Sequence, residues 1–155
     1  SRISGIGVVE SVGARLKYLD HFPIRIPANL SQEKKLVYFA DAFQVALDNY
    51  SASTMVIESL FTAKNVNSIL KLSHVRGVAM MMAARSGLNV VELAPATIKK
   101  SITGYGRATK EQVQYMVQKL LQLRQAPTPQ DCSDALAMAI CYLNQSRLMA
   151  RIRMR

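Results

Sequence analysis

At 155 residues the chain has the length of one domain with a substantial core, and its content, half hydrophobic and only 19% charged, excludes a disordered polymer. Twenty Lys and Arg against ten Asp and Glu give a net charge of +10 and a pI near 10.0, which points to a densely negative partner, although a merely basic soluble protein shares that balance. No apolar run reaches the roughly 18 residues that span a bilayer, no helix carries a basic and aromatic interfacial face, and no leader pattern opens the chain, so a soluble cytoplasmic protein without membrane contact is expected.

In chain order, Ile3 to Val12 is rich in Ile and Val and ends at a turn on Gly13, and Leu16 to Ile26 continues with β-type residues. The two predict an antiparallel hairpin, with Pro23 and Pro27 restricting the second strand to short or edge pairing. Ser31 with Glu33 marks a helix start, followed by Leu36, Phe39, Ala40, Phe43, Val45, Ala46 and Leu47 at helical spacing. Thr54 to Ile57 reads as a buried strand ending on Glu58. Asn65 to Arg85 predicts a long helix stopped by Ser86 and Gly87, and Asn89 to Leu93 another strand. Pro95 precedes a short helix through Ile98, and Gly104, Tyr105 and Gly106 form a flexible loop. Thr109 with Gln112 makes a capping box for a helix to about Leu123. After Pro127 and Pro129 a last helix runs from Asp131 through Asn144, and the basic tail from Arg147 to Arg155 either extends or frays.

This order predicts an α/β fold, a mixed central sheet flanked by helices, in one domain over 1–155. Cys132 and Cys141 fall nine residues apart on one helix, about 13 Å between Cα atoms, too far for a disulfide, so two reduced thiols are expected. The methionine run Met80, Met81 and Met82 reads as core packing or a dimer interface.

The chemistry-bearing residues are carboxylates. Glu58 closes a buried strand, where a charge is costly unless solvated, paired or bound to metal, and strand ends of such sheets are where ligands bind. A strand-end glutamate simply reaching solvent is the plainer alternative. Asp131 and Asp134 project from one face at a helix start. Each could be a cap, but one cap suffices, and the pair adjoins a face otherwise of Ala and Leu. Clustered carboxylates suit hard divalent cations, and two such ions stabilise both oxygens of a phosphodiester displacement. His21 and His74 lack zinc-ligand spacing, and no phosphate-cradling glycine motif occurs.

Lys99, Lys100, Arg107 and Lys110 put four cations in twelve residues around the glycine loop, a phosphate clamp or a solvated basic loop. Lys64 and Arg76 are solvated helix-flanking charges or phosphate contacts. Phe61 is a loop anchor or a stacking platform. The tail arginines Arg147, Arg151, Arg153 and Arg155 read as a nonspecific electrostatic arm.

The run Val56 to Asn65, then Ser68, Leu70 to Leu72 and Arg76 to Ala79, resembles the RuvC family of bacterial Holliday-junction resolvases. So do Ile98 to Lys100, Gly104 with Gly106, Lys110 with Gln112 and Val113, Asp131 to Ala137, and the opening Ser1 to Val9. The resemblance covers nearly the whole chain in order. It implies a ribonuclease-H-like fold, a homodimer, and paired symmetric nicks in four-way DNA junctions during recombination and repair. It further implies a hydrolase using Mg²⁺ or Mn²⁺, two ions per site, with Glu58, Asp131 and Asp134 as ligands and Lys99 in the catalytic set. Phe61 would be an aromatic wedge, Lys64, Arg76, Lys99, Lys100, Arg107 and Lys110 would meet DNA, and the RuvA–RuvB branch-migration complex would be the partner. The family's fourth carboxylate belongs to a Gly-Ile-Asp-Pro-Gly segment falling just before Ser1, with half of the first strand. A chain truncated there would be expected to bind metal weakly and cut little. Ser59 and Leu60 stand where the family pattern has Gln and Val. Two other readings remain: a noncatalytic junction-binding module, and a related nuclease acting on RNA–DNA hybrids.

Overall fold

The computed structural model describes residues 3–60 and 66–154, with side chains in the second stretch from residue 69. Strands β1 (Ile3–Val12) and β2 (Arg15–Arg25) pair across a two-residue turn in which Gly13 takes a φ of 58°, which makes the hairpin antiparallel as expected. Helix α1 (Gln32–Asn49) follows, then β3 (Thr54–Glu58), α2 (Val66–Arg85) and β4 (Asn89–Leu93). The last four elements are α3 (Pro95–Thr103), α4 (Lys110–Leu120) and α5 (Gln130–Arg153), joined to β4 in that order. β3 pairs with β4, and the Asn89 amide donates to the Ser53 carbonyl at 2.9 Å. The two strands therefore start at the same end and run parallel, with α2 as the crossover. Among the described residues the strands form two two-stranded sheets.

The chain divides into two compact units, one built on Ile24–Glu92 and the other on Gly5–Pro23 with the residues from Leu93 onward. In the first, α1 packs on α2. Phe39 and Phe43, one turn apart, stack at 5.6 Å between ring centroids and are buried with Ala46, Ala79, Met82 and Ala83. Met82 thus belongs to the core while Met81 is exposed, as expected for adjacent positions on one helix.

In the second unit α3, α4 and α5 pack on one another. Leu136, Ile140, Val117, Cys132 and Cys141 are fully buried, and both cysteines are free thiols. Cys132, Leu136 and Ile140 form a ridge at four-residue spacing that turns α5 inward.

Several helix boundaries differ from the sequence reading, each for a local reason. α3 continues to Thr103 because Ile98 and Ile102, four apart, are both buried; Gly104 then ends it in the left-handed conformation at φ 79°. α4 stops at Leu120 rather than Leu123, where Gln122 takes a φ of 54°. The tail does not fray: α5 runs to Arg153, built of strong helix formers without Gly or Pro, and Arg147 donates from its guanidinium to the Ala14 carbonyl at the hairpin turn. The loop after α3 is bonded, since Thr103 Oγ1 accepts from the Tyr105 amide at 3.1 Å and donates to the Lys99 carbonyl at 2.8 Å. Ser31 occupies the N-cap of α1, but its hydroxyl donates to Glu33 instead of capping the backbone. The capping box at Thr109 and Gln112 is present in both halves.

Candidate functional site

Glu58 is the last residue of β3 and is exposed, so the strand delivers its carboxylate to solvent rather than burying it. Arg76 of α2 holds this strand end. One guanidinium nitrogen donates to the Glu58 carbonyl, and another meets Glu92 of β4 at 2.6 Å. The Arg76 side chain is only 12% exposed against 49% for Glu92. It therefore fastens the ends of two parallel strands together beside Glu58. Glu92 was not singled out by sequence reasoning; an acidic residue near the end of the neighbouring strand was the only available sign.

Asp131 and Asp134 lie in the first turns of α5, on the half-buried edge of the helix that continues to Met138. A carboxylate there is favoured by the positive end of the helix. Neither makes a side-chain cap, because the N-cap position is Pro129. Cys132 and Ser133 between them are buried, and the Ser133 hydroxyl has no hydrogen-bond partner among the described residues.

What seats this helix end is the glycine pair of β1. Gly5 and Gly7 face α5, and a Cβ on Gly5 would run into the carbonyl of Asp131. A Cβ on Gly7 would lie 2.7 Å from the Leu136 amide nitrogen and 2.9 Å from the Leu136 side chain. The strand thus lies backbone to backbone on the turns that carry both aspartates. A Gly-x-Gly inside a strand is the sequence sign of such an approach.

Lys110, the first residue of α4, places its ammonium 3.1 Å from Asp134 Oδ2. The other expected cations lie on the same stretch of the second unit: Lys99 half-buried on α3, Lys100 exposed beside it, and Arg107 exposed in the loop before α4. Phe61 and Lys64 lie outside the described residues. Glu58 belongs to the first unit and the two aspartates to the second. Among the described residues no three His, Cys, Asp or Glu side chains come together as a metal-binding group.

Near the site, Glu111 on α4 titrates below its usual range, first because a backbone amide donates to it and then through Thr109 and Gln130. In β2, burial above all, with Asp20 adding to it, raises the Tyr18 phenol, whose hydroxyl lies 2.8 Å from His21 Nδ1. No helix among the described residues is long and apolar enough to cross a membrane.

The family model for crossover junction endodeoxyribonuclease RuvC matches residues 1–142. The protein of that description from Ruminiclostridium cellulolyticum is 38% identical over 148 residues, 96% of this chain and 89% of its own. Its counterpart from Heliobacterium modesticaldum is 41% identical over 139 residues, covering 90% and 86%. The solved structure of Thermus thermophilus RuvC superposes with a TM-score of 0.85 at 25% identity, covering 95% of this chain and 90% of that one. The same organism's RuvC in complex with a Holliday junction substrate gives 0.87, again at 25% identity, over 93% and 88%. These likenesses carry the α/β, ribonuclease-H-like fold class expected from the sequence.

Proposed function

The chain belongs to the RuvC family of crossover junction endodeoxyribonucleases, and from that premise we propose that it resolves four-way DNA junctions by paired, symmetric hydrolysis of phosphodiesters. The observation that carries this reading is the aspartate pair at the start of α5, seated against the glycines of β1 in a chain that follows the family over most of its length. The metal ligands are Glu58, Asp131 and Asp134, an all-oxygen donor set suited to Mg²⁺ or Mn²⁺. The Lys110 ammonium on Asp134 is an observed sign that this carboxylate faces a place a cation can reach. When bound, the metal supplies charge neutralisation at the scissile phosphate and lowers the pKa of water.

The chain's own residues do the rest. Glu58, fixed at its strand end by Arg76, and the two aspartates would hold the metal and orient the attacking water. Lys99 completes the catalytic set. Lys100, Arg107 and Lys110 hold the backbone phosphates by charge-assisted bonds, which position the DNA without reading its sequence. Phe61 stacks on an unpaired base at the crossover, an interaction worth about 1–3 kcal/mol per base, and Lys64 contacts phosphate nearby. Two symmetric cuts require two sites, hence a homodimer, and the cytoplasmic RuvA–RuvB complex delivers the junction. The products carry 5′-phosphate and 3′-hydroxyl ends.

The test is a synthetic mobile junction incubated with Mg²⁺ or Mn²⁺ and the protein carrying the Gly-Ile-Asp-Pro-Gly segment ahead of Ser1. Symmetric nicks are expected, falling at least a hundredfold in Glu58→Gln and Asp134→Asn while junction binding persists, since electrostatic groups of this kind contribute roughly that much. Tight binding with no nicks in either metal would instead identify a noncatalytic junction-binding module, and cleavage of RNA–DNA hybrids in preference to junctions would identify a different nuclease.

A further inference from the structure

Lys110 stands at the end of its helix that disfavours a cation. It is the first residue of α4, at the positive end of the helix dipole, and the backbone there is already satisfied by Thr109 and Gln112. Glu111, in the same turn, has the sign the helix prefers, and its carboxylate accepts from Gln130 at 3.3 Å. The Lys110 ammonium meets Asp134 at 3.1 Å in an ion pair open to water on both sides: the side chains are 58% and 40% exposed. An exposed pair of this kind is weak, so a competing cation or a phosphate can break it.

We infer that Lys110 couples the divalent-cation site to the DNA backbone. Its ammonium neutralises Asp134 while the carboxylate has no other cation, and transfers to a backbone phosphate once that carboxylate is taken. This rests on the reading of Asp134 as a metal ligand. One carboxylate oxygen cannot fully serve both cations, so occupancy by one disfavours the other. By linkage, a metal that releases Lys110 for phosphate tightens DNA binding, and DNA tightens metal binding by the same factor. The protein would thereby load its metal preferentially when a junction is present, and keep Asp134 neutralised and in place when it is not.

Two binding measurements on the full chain test this. The first is Mn²⁺ affinity without DNA, by isothermal titration. The second is affinity for a four-way junction with phosphorothioate linkages, measured over a range of monovalent salt with and without Mn²⁺. Lys110→Met is expected to bind Mn²⁺ about two- to fivefold tighter than wild type, the range an exposed ion pair supports. In wild type, Mn²⁺ should steepen the salt dependence of junction binding by about one phosphate contact relative to Lys110→Met. Lys119→Met, which removes a cation of α4 that lies over the Tyr115 ring instead of on a carboxylate, is the control. If Lys119→Met raises Mn²⁺ affinity as much as Lys110→Met, the effect is a general field and the coupling is overturned. It is likewise overturned if the variant and wild type respond to Mn²⁺ alike. Unchanged Mn²⁺ binding in Asp134→Asn would instead overturn the ligand reading itself, which separates the two failures.

Discussion

Arg76 bonds inward, to the Glu58 carbonyl and to Glu92, so its removal acts on the scaffold under the carboxylate. Arg76→Met is expected to cost about 1–2 kcal/mol, the scale of one charge-assisted bond and one partly buried pair. That corresponds to a melting temperature lower by about 3–8 °C. Turnover should fall while junction affinity holds; the reverse pattern, lost affinity with normal turnover of bound junction, would make it a phosphate contact. Cys141 gives a second residue-scale outcome. Burial pushes its thiol up from the usual value, and its sulfur lies 3.9 Å from the Thr97 carbonyl. A pKa raised in the folded state means stability that is present below the ordinary thiol range and lost as pH rises through it. The unfolding midpoint should therefore decline between roughly pH 8 and 10, less so in Cys141→Ala. Burial of Tyr18 adds a contribution of the same sign at higher pH. Alkylation of both cysteines should be slow until the protein is unfolded. Glu58, Asp131 and Asp134 stand out in the sequence as candidates because few acidic residues compete for notice. The bonds that Arg76 makes to two strand ends were not legible, because its partners lie on β3 and β4 and no local spacing betrays them.

At the scale of elements, the strands and most helix starts were legible because their determinants are local. The hairpin is written in β-branched residues around Gly13, and the start of α4 in the Thr109–Gln112 box. Thr109→Ala should cost about 1 kcal/mol, the usual worth of such a cap, read as a lower thermal midpoint with the fold retained. An unchanged midpoint would show that packing of α4 on α5 alone fixes the helix. Helix ends were harder. α3 outlasted its expected boundary because burial of Ile102 depends on neighbouring helices, and Gly104 is as much a helix terminator as a loop residue. The tail joined α5 because a tertiary bond from Arg147 anchors it at the hairpin turn, where the sequence shows only a basic segment.

At the scale of the whole molecule, the charge of +10 governs how the protein meets DNA before any geometry matters. The logarithm of junction affinity should fall with the logarithm of salt concentration, with a slope of about −0.9 for each phosphate neutralised. Lys100→Met and Arg107→Met, both at exposed positions, should each reduce that slope by about one and weaken junction and plain duplex alike. Slopes that match wild type would remove these two residues from the interface. Composition alone indicated the partner's sign, and Lys99, Lys100, Arg107 and Lys110 lie on α3, the loop after it and the start of α4.

The contact of β1 with α5 also bears on how the chain reaches its fold. Side chains alternate along a strand, so a slip of one residue would turn Ile6 and Val8 toward the backbone of α5 in place of Gly5 and Gly7, where a single Cβ already collides. A hairpin formed out of step therefore has no surface on which the last helix can settle. The helix arrives last in the sequence and acts as a gauge of the first strand, accepting one alignment and rejecting the next. Errors made at the beginning of the chain are thus caught at its end, before the aspartates are brought into position.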